Sequence, residues 1–187
     1  MNDFEQTLKV LFKAGVDFVL IGGVAASVHG SAHLTYDLDI CYDRSAGNLK
    51  RLADALSLYH PRLRGVPGNL RFSFDARTLS HGMNFTLATD LGDLDLFGEV
   101  LGIGPYSAVK ALSNTINLYD HPCAVLSLQG LIQSKRASGR SKDLLVLPEL
   151  EALSEIQQPT GKIRTAGHRQ NKRKPNKKGS GKDPKSR

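Results

Sequence analysis

Leu20-Ile21-Gly22-Gly23 runs an apolar stretch into a glycine pair, and after thirteen intervening residues Asp37-Leu38-Asp39-Ile40 sets two carboxylates at positions i and i+2. Side chains alternate faces along a strand, so Asp37 and Asp39 point the same way. Two carboxylates side by side repel each other unless a cation lies between them. Glycines at a strand-to-helix turn let backbone N–H groups approach a phosphate closely. Together these features predict a site for a metal-bound nucleotide.

The surrounding pattern supplies a scaffold for such a site. Phe4, Leu8, Leu11 and Phe12 share one face of a first helix that Asn2 or Asp3 can cap and Gly15 ends. Residues 17–21 read as a buried strand, 22–29 as a helix stopped by Gly30, and 34–42 as the strand carrying the aspartates. Ser45 caps a helix with the stripe Leu49, Leu52, Ala53 and Leu56, broken at Pro61. Residues 62–69 read as a Gly/Pro loop, 71–74 as a short strand, and 83–89 and 94–97 as strands on either side of a turn at Gly92. Residues 115–119 and 124–126 are weaker, edge-like strands. Ser127 caps a helix through Lys135 and Arg136, and a last helix covers about 142–153 with a kink or break at Pro148. No internal repeat is visible. The order predicts an α+β domain with a helical C-terminal part from about residue 127.

The formal charge of +7 misdescribes this domain. From Gln158 onward there are eleven Lys/Arg and one acid, while the rest of the chain holds fourteen basic and seventeen acidic residues. The tail from Thr160 has one Ile and no Leu, Val or aromatic residue, too little apolar surface to offset chain entropy, so it reads as disordered. The expected division is a folded domain over 1–156 and a basic tail over 157–187. Such a tail can hold nucleic acid through phosphate contacts or serve only as a solubilising end. No apolar run is long enough to span a bilayer and no signal segment is visible, so a cytoplasmic location without membrane contact is expected. Cys41 and Cys123 lie in apolar, strand-like settings and read as buried free thiols.

The Gly-Gly pair and Asp-Leu-Asp, at this spacing, resemble the signature of the DNA polymerase beta-like nucleotidyltransferase superfamily. Ile21-Gly22-Gly23-Val24-Ala25, His29-Gly30 and Leu34-Thr35-Tyr36-Asp37-Leu38-Asp39 are similar to its small prokaryotic branch, the minimal nucleotidyltransferases and AbiEii-type toxins. The resemblance covers roughly residues 4–153. It implies a mixed β-sheet flanked by helices, and transfer of an NMP from an NTP to an acceptor hydroxyl on RNA (a tRNA end above all), a protein or a small molecule. It also implies two Mg²⁺ ions and the prospect of an antitoxin or other protein partner. A third carboxylate is required from a later strand. Asp95, inside the apolar run Leu94-Asp95-Leu96-Phe97, is the candidate. Asp93 is the backup, and Asp90 reads as a turn residue.

On this resemblance Asp37, Asp39 and Asp95 are metal ligands, with Asp95 also accepting the proton of the attacking hydroxyl. Gly22 and Gly23 bring backbone to the phosphates. Lys135 is the first phosphate-contacting side chain, Arg140 and Lys142 come next, and Asp143 ties the last helix down. For Arg136 and Lys142 the alternative is a solvated basic helix end that complements the helix dipole. One position departs from the pattern: His33 stands where relatives often carry arginine, which predicts weaker nucleotide binding or a binding module of the same fold with little turnover. His29 reads as a corner-filling residue, and His60, His81 and His121 have no partners at zinc-ligand spacing.

Overall fold

The computed structural model describes residues 3–66 and 72–157. Along them run α1 (Phe4–Lys13), β1 (Phe18–Ile21), α2 (Gly22–Val28), β2 (Asp37–Tyr42), α3 (Ala46–Ser57), β3 (Arg62–Leu63), α4 (Ala76–His81), β4 (Asn84–Thr89) and β5 (Gly92–Phe97). Then follow β6 (Glu99–Val100), β7 (Gly104–Pro105), α5 (Tyr106–Ala111), β8 (Ser113–Leu118), β9 (His121–Leu126), α6 (Leu128–Ser138) and α7 (Ser141–Gln157). The expected disordered tail lies outside the described residues.

Seven strands form one mixed sheet in the order β3-β4-β5-β2-β1-β9-β8, and β6 and β7 make a separate small pair. β2 lies antiparallel to β1 and parallel to β5. The alternation of β2 and β5 explains their central place. Leu38, Ile40, Leu94 and Leu96 are buried in the core that also holds Leu8 and Leu11 of α1 and Leu49, Leu52 and Leu56 of α3. The intervening aspartates are left on the opposite face. The fold class is thus the expected α+β one, a mixed sheet with flanking helices and two paired helices, α6 and α7, after the last strand.

Local expectations needed correction in several places. The aspartate strand starts at Asp37 rather than 34, because Leu34 and Tyr36 stand out in solvent while the Thr35 hydroxyl turns back to Asp37. The expected loop over 62–69 opens instead with β3, whose Arg62 and Leu63 pair with Ala88 and Leu87 of β4, and its residues 67–69 lie outside the described residues. Residues 72–74 are not strand, and residue 71 lies outside the described residues. Asp75 instead caps α4, accepting from the Thr78 N–H at 2.7 Å. β9 is interior, because β8 covers its outer edge through a tight hairpin whose Tyr119 and Asp120 have positive φ. α7 runs through Pro148 without a break, held on both sides of it by buried Val146, Leu147 and Leu150.

Candidate active site

Register places the acidic residues before any ligand is considered. Asp39 of β2 stands across from Asp95 of β5, and Asp37 stands across from Asp93. Partners across a ladder share a face, so four carboxylates crowd one patch of the sheet. One oxygen each of Asp37, Asp39 and Asp95 lies within 4.8 Å of the others. At an effective dielectric of ~20 each such pair costs on the order of 3 kcal/mol. Burial, then the charges of Asp37 and Asp95, push the Asp39 carboxyl up to about 7, although the Gly23 N–H and Lys135 work against the rise. Burial also raises Asp95, against the pull of Arg64.

The glycine pair has a steric reason as well as an electrostatic one. Gly22 sits at φ +65°, and a Cβ there would overlap the Asp39 carboxylate. A Cβ on Gly23 would lie 2.5 Å from that of Thr35. Thr35 in turn donates to Asp37 Oδ1 at 2.9 Å. Glycine therefore lets the β1–α2 turn close onto the aspartate strand.

Facing this row across a cleft of about 420 Å³ are Lys135, Arg140, Lys142 and Asp143. Ser127 starts α6 by accepting from the Gly130 N–H, and Gly139 ends it in the left-handed region at φ +62°. The chain then turns so that Asp143, in the first turn of α7, accepts from Lys135 Nζ at 3.1 Å and Arg140 Nε at 2.7 Å. Burial acts to raise the Asp143 carboxyl, but hydrogen bonds from Ser138, Lys135 and Arg140 outweigh it and bring it to about 2. Asp143 thus ties α7 to α6 and holds two cations at the cleft wall. His33 also lines the cleft.

Other candidates lie elsewhere. Arg136 pairs with Glu151 on the surface, Asp90 with exposed His60, and buried His29 donates its Nε2–H to the Leu126 carbonyl at 2.9 Å. Among the described residues the carboxylate trio is the one group of metal-ligating type. Cys41 and Cys123 are buried and free, with burial pushing their thiols up to about 12 and about 11.

Sequence reasoning missed Arg64. Its Nη1 pairs with Asp93 Oδ2 at 2.7 Å, and its Nη2 with Asp95 Oδ1 at 2.8 Å and Asp37 Oδ2 at 3.6 Å. Its backbone N–H bonds the Thr86 carbonyl, extending the β3–β4 ladder by one residue. The row Arg64, Thr86, Asp95, Asp39 therefore crosses four strands. The available signal was one of charge: four carboxylates on one patch require a nearby cation.

No protein-family model and no curated protein matches the sequence. Among solved structures the chain is similar to the lincosamide antibiotic adenylyltransferase LnuA with lincomycin bound. The two are 16% identical over 81% of this chain and 96% of that one, with a TM-score of 0.52. An antigenic nucleotidyltransferase-like protein from Paracoccidioides brasiliensis is 16% identical over 79% of this chain and 72% of its own, with a TM-score of 0.45. A presumptive nucleotidyltransferase from Thermotoga maritima is 16% identical over 83% of this chain and 94% of its own, with a TM-score of 0.44. The likeness to LnuA is one of fold: this chain has a nucleotidyltransferase-like fold. No helix among the described residues is long and apolar enough to cross a membrane.

Proposed function

We propose that the chain is a metal-dependent nucleotidyltransferase that joins an NMP to an acceptor hydroxyl and releases pyrophosphate. The observation that carries this reading is the convergence of Asp37, Asp39 and Asp95 within 4.8 Å, opposite a wall of basic side chains, in a fold of this kind. Three carboxylates at that spacing suit Mg²⁺, which prefers hard oxygen donors and shares them with phosphates. Bound Mg²⁺ would offset charge on the triphosphate and on the entering and leaving oxygens of an in-line displacement.

The chain's own residues take the remaining roles. Lys135 and Arg140 orient the triphosphate, with Lys142 beside them, and Asp143 keeps their heads in place. Gly22 and Gly23 admit the phosphates to the turn. Asp95 takes the hydroxyl proton, a role its raised carboxyl favours. Domain 1–156 carries the reaction, and the basic residues from 158 onward hold an RNA acceptor, in keeping with a toxin of the AbiEii type and a protein antitoxin. LnuA, whose named substrate is an antibiotic, makes a small-molecule hydroxyl the acceptor to test beside RNA and protein.

Purified protein with Mg²⁺ and each labelled NTP should label one of these acceptor classes, and Asp37→Ala with Asp39→Ala should abolish the labelling. Equal inactivity of wild type and double variant across all three would overturn the reading. A module that binds nucleotide without turnover is the second reading, favoured by the Arg64 contacts and by His33 at the cleft. Calorimetry separates the two, because saturable binding of Mg²⁺·NTP with no pyrophosphate release supports the module.

A further inference from the structure

Arg64 divides its guanidinium between two kinds of carboxylate. Nη1 holds Asp93, which is outside the metal-ligating trio, at 2.7 Å. Nη2 holds two members of that trio, Asp95 at 2.8 Å and Asp37 at 3.6 Å. Acceptance of Nη2 and acceptance of a divalent ion draw on the same carboxylates. Asp93 has no such conflict, so the pairing through Nη1 can persist when the Nη2 contacts are given up. The side chain is only partly exposed, and its backbone is fixed to β4 by the bond to Thr86. The guanidinium is therefore kept at the rim of the row and not released to solvent.

We propose that Arg64 is the built-in counter-cation of the carboxylate row, and that a divalent ion must displace its Nη2 from Asp95 and Asp37 while Asp93 retains Nη1. Arg64 thereby sets how much free metal the site needs before it loads. It also offsets the repulsion among Asp37, Asp93 and Asp95 when no ion is bound, and leaves Asp39 without a pairing of its own in that cluster. This inference rests on the metal site of the proposed function. It assigns Arg64 a positioning role that acts on the ligands and not on the reacting atoms.

The sign of the effect makes it testable. A residue that merely supported the site would weaken metal binding when removed, whereas a competitor strengthens it. Mg²⁺ titrated without nucleotide into the full chain, followed by calorimetry, should bind Arg64→Gln about fivefold or more tightly than wild type, the scale of a partly exposed ion pair. Asp39→Asn should bind Mg²⁺ far more weakly than either. A second reading uses the unaltered chain: the Arg64 Nε–H resonance, identified by its loss in Arg64→Lys, should move in step with Mg²⁺ saturation. Equal or weaker Mg²⁺ binding by Arg64→Gln, or an Arg64 resonance unmoved through saturation, overturns the proposal and leaves an Asp39-dependent metal site standing. If wild type and Asp39→Asn bind Mg²⁺ equally poorly, the metal site itself falls, and this proposal with it.

Discussion

The two walls of the cleft treat a carboxylate in opposite ways. Asp143, its side chain 8% exposed, is met by Ser138, Lys135 and Arg140 and brought to about 2. Asp39 lies beside two other carboxylates, with the Gly23 N–H and the charge of Lys135 in its favour, and burial and those carboxylates push it up to about 7. Asp143 is an acid whose charge is satisfied from within, which is what a structural tie requires. Asp39 is an acid whose charge the protein leaves under-compensated. Such an arrangement destabilises the fold when both partners are ionised, and it has a use only when something else brings positive charge.

The largest expected effects separate the walls by what each loses. Asp39→Asn should lower nucleotidyl transfer on the order of a thousandfold or more, the several kcal/mol that a metal's charge supplies at a transferring phosphate. The thermal midpoint should stay level or rise, because a repulsive charge is gone. Asp143→Asn should act the other way round and cost on the order of 3 kcal/mol of stability, since Lys135 loses its buried partner. Thermal unfolding of both variants, beside a labelling assay, checks the contrast. If Asp39→Asn unfolds as early as Asp143→Asn, the two carboxylates are equally structural and the distinction is lost.

The same comparison gives opposite pH dependences. A carboxyl raised from 3.8 to about 7 binds its proton more tightly folded than unfolded, so Asp39 removes stability as pH rises from about 4 to about 7. Asp143, lowered from 3.8 to about 2, contributes stability above about 4 and loses it as pH falls towards 2. Wild type and Asp39→Asn should therefore have similar stability near pH 4 and diverge by up to a few kcal/mol at pH 8, Asp39→Asn the more stable. Parallel curves from pH 4 to 8 would show that Asp39 carries no such burden. Mg²⁺ affinity should rise with pH up to about 7 and level off above, as the ion no longer has to expel a proton.

What could be read from the sequence follows from how local each signal is. Asp37 and Asp39 are legible because a strand's two-residue period fixes their common face. Asp95 is legible because a charge within Leu94-Asp95-Leu96 requires a reason. Lys135 and Asp143 stand on either side of a helix end that Gly139 marks. Arg64 was hidden because its place depends on pairing: β3 is two residues long, and only the β3–β4–β5 register brings its guanidinium to Asp95, 31 residues away in sequence. Helices α4 and α5, six residues each, are likewise too short to show a period. β9 looked like an edge because the strand that covers it is half exposed.

The finest form of the comparison sets two adjacent residues against each other. Lys135 and Arg136 are both basic and both in the last turn of α6, so composition alone gives them equal claim to a phosphate. A helix turns about 100° per residue, which puts one on the cleft and the other outside. Lys135 is 17% exposed and lines the cleft, while Arg136 is 62% exposed and reaches Glu151 on α7. Lys135→Ala should raise the KM for NTP about tenfold, the scale of one charge-assisted contact to phosphate. Arg136→Ala should leave KM unchanged and shift stability by less than about 0.5 kcal/mol, because an exposed ion pair returns its charges to water. Steady-state kinetics of the two variants at fixed Mg²⁺ decides the matter. An equal rise in KM for both would mean that nucleotide feels the basic helix end as a diffuse field and not the particular ammonium that Asp143 holds in place.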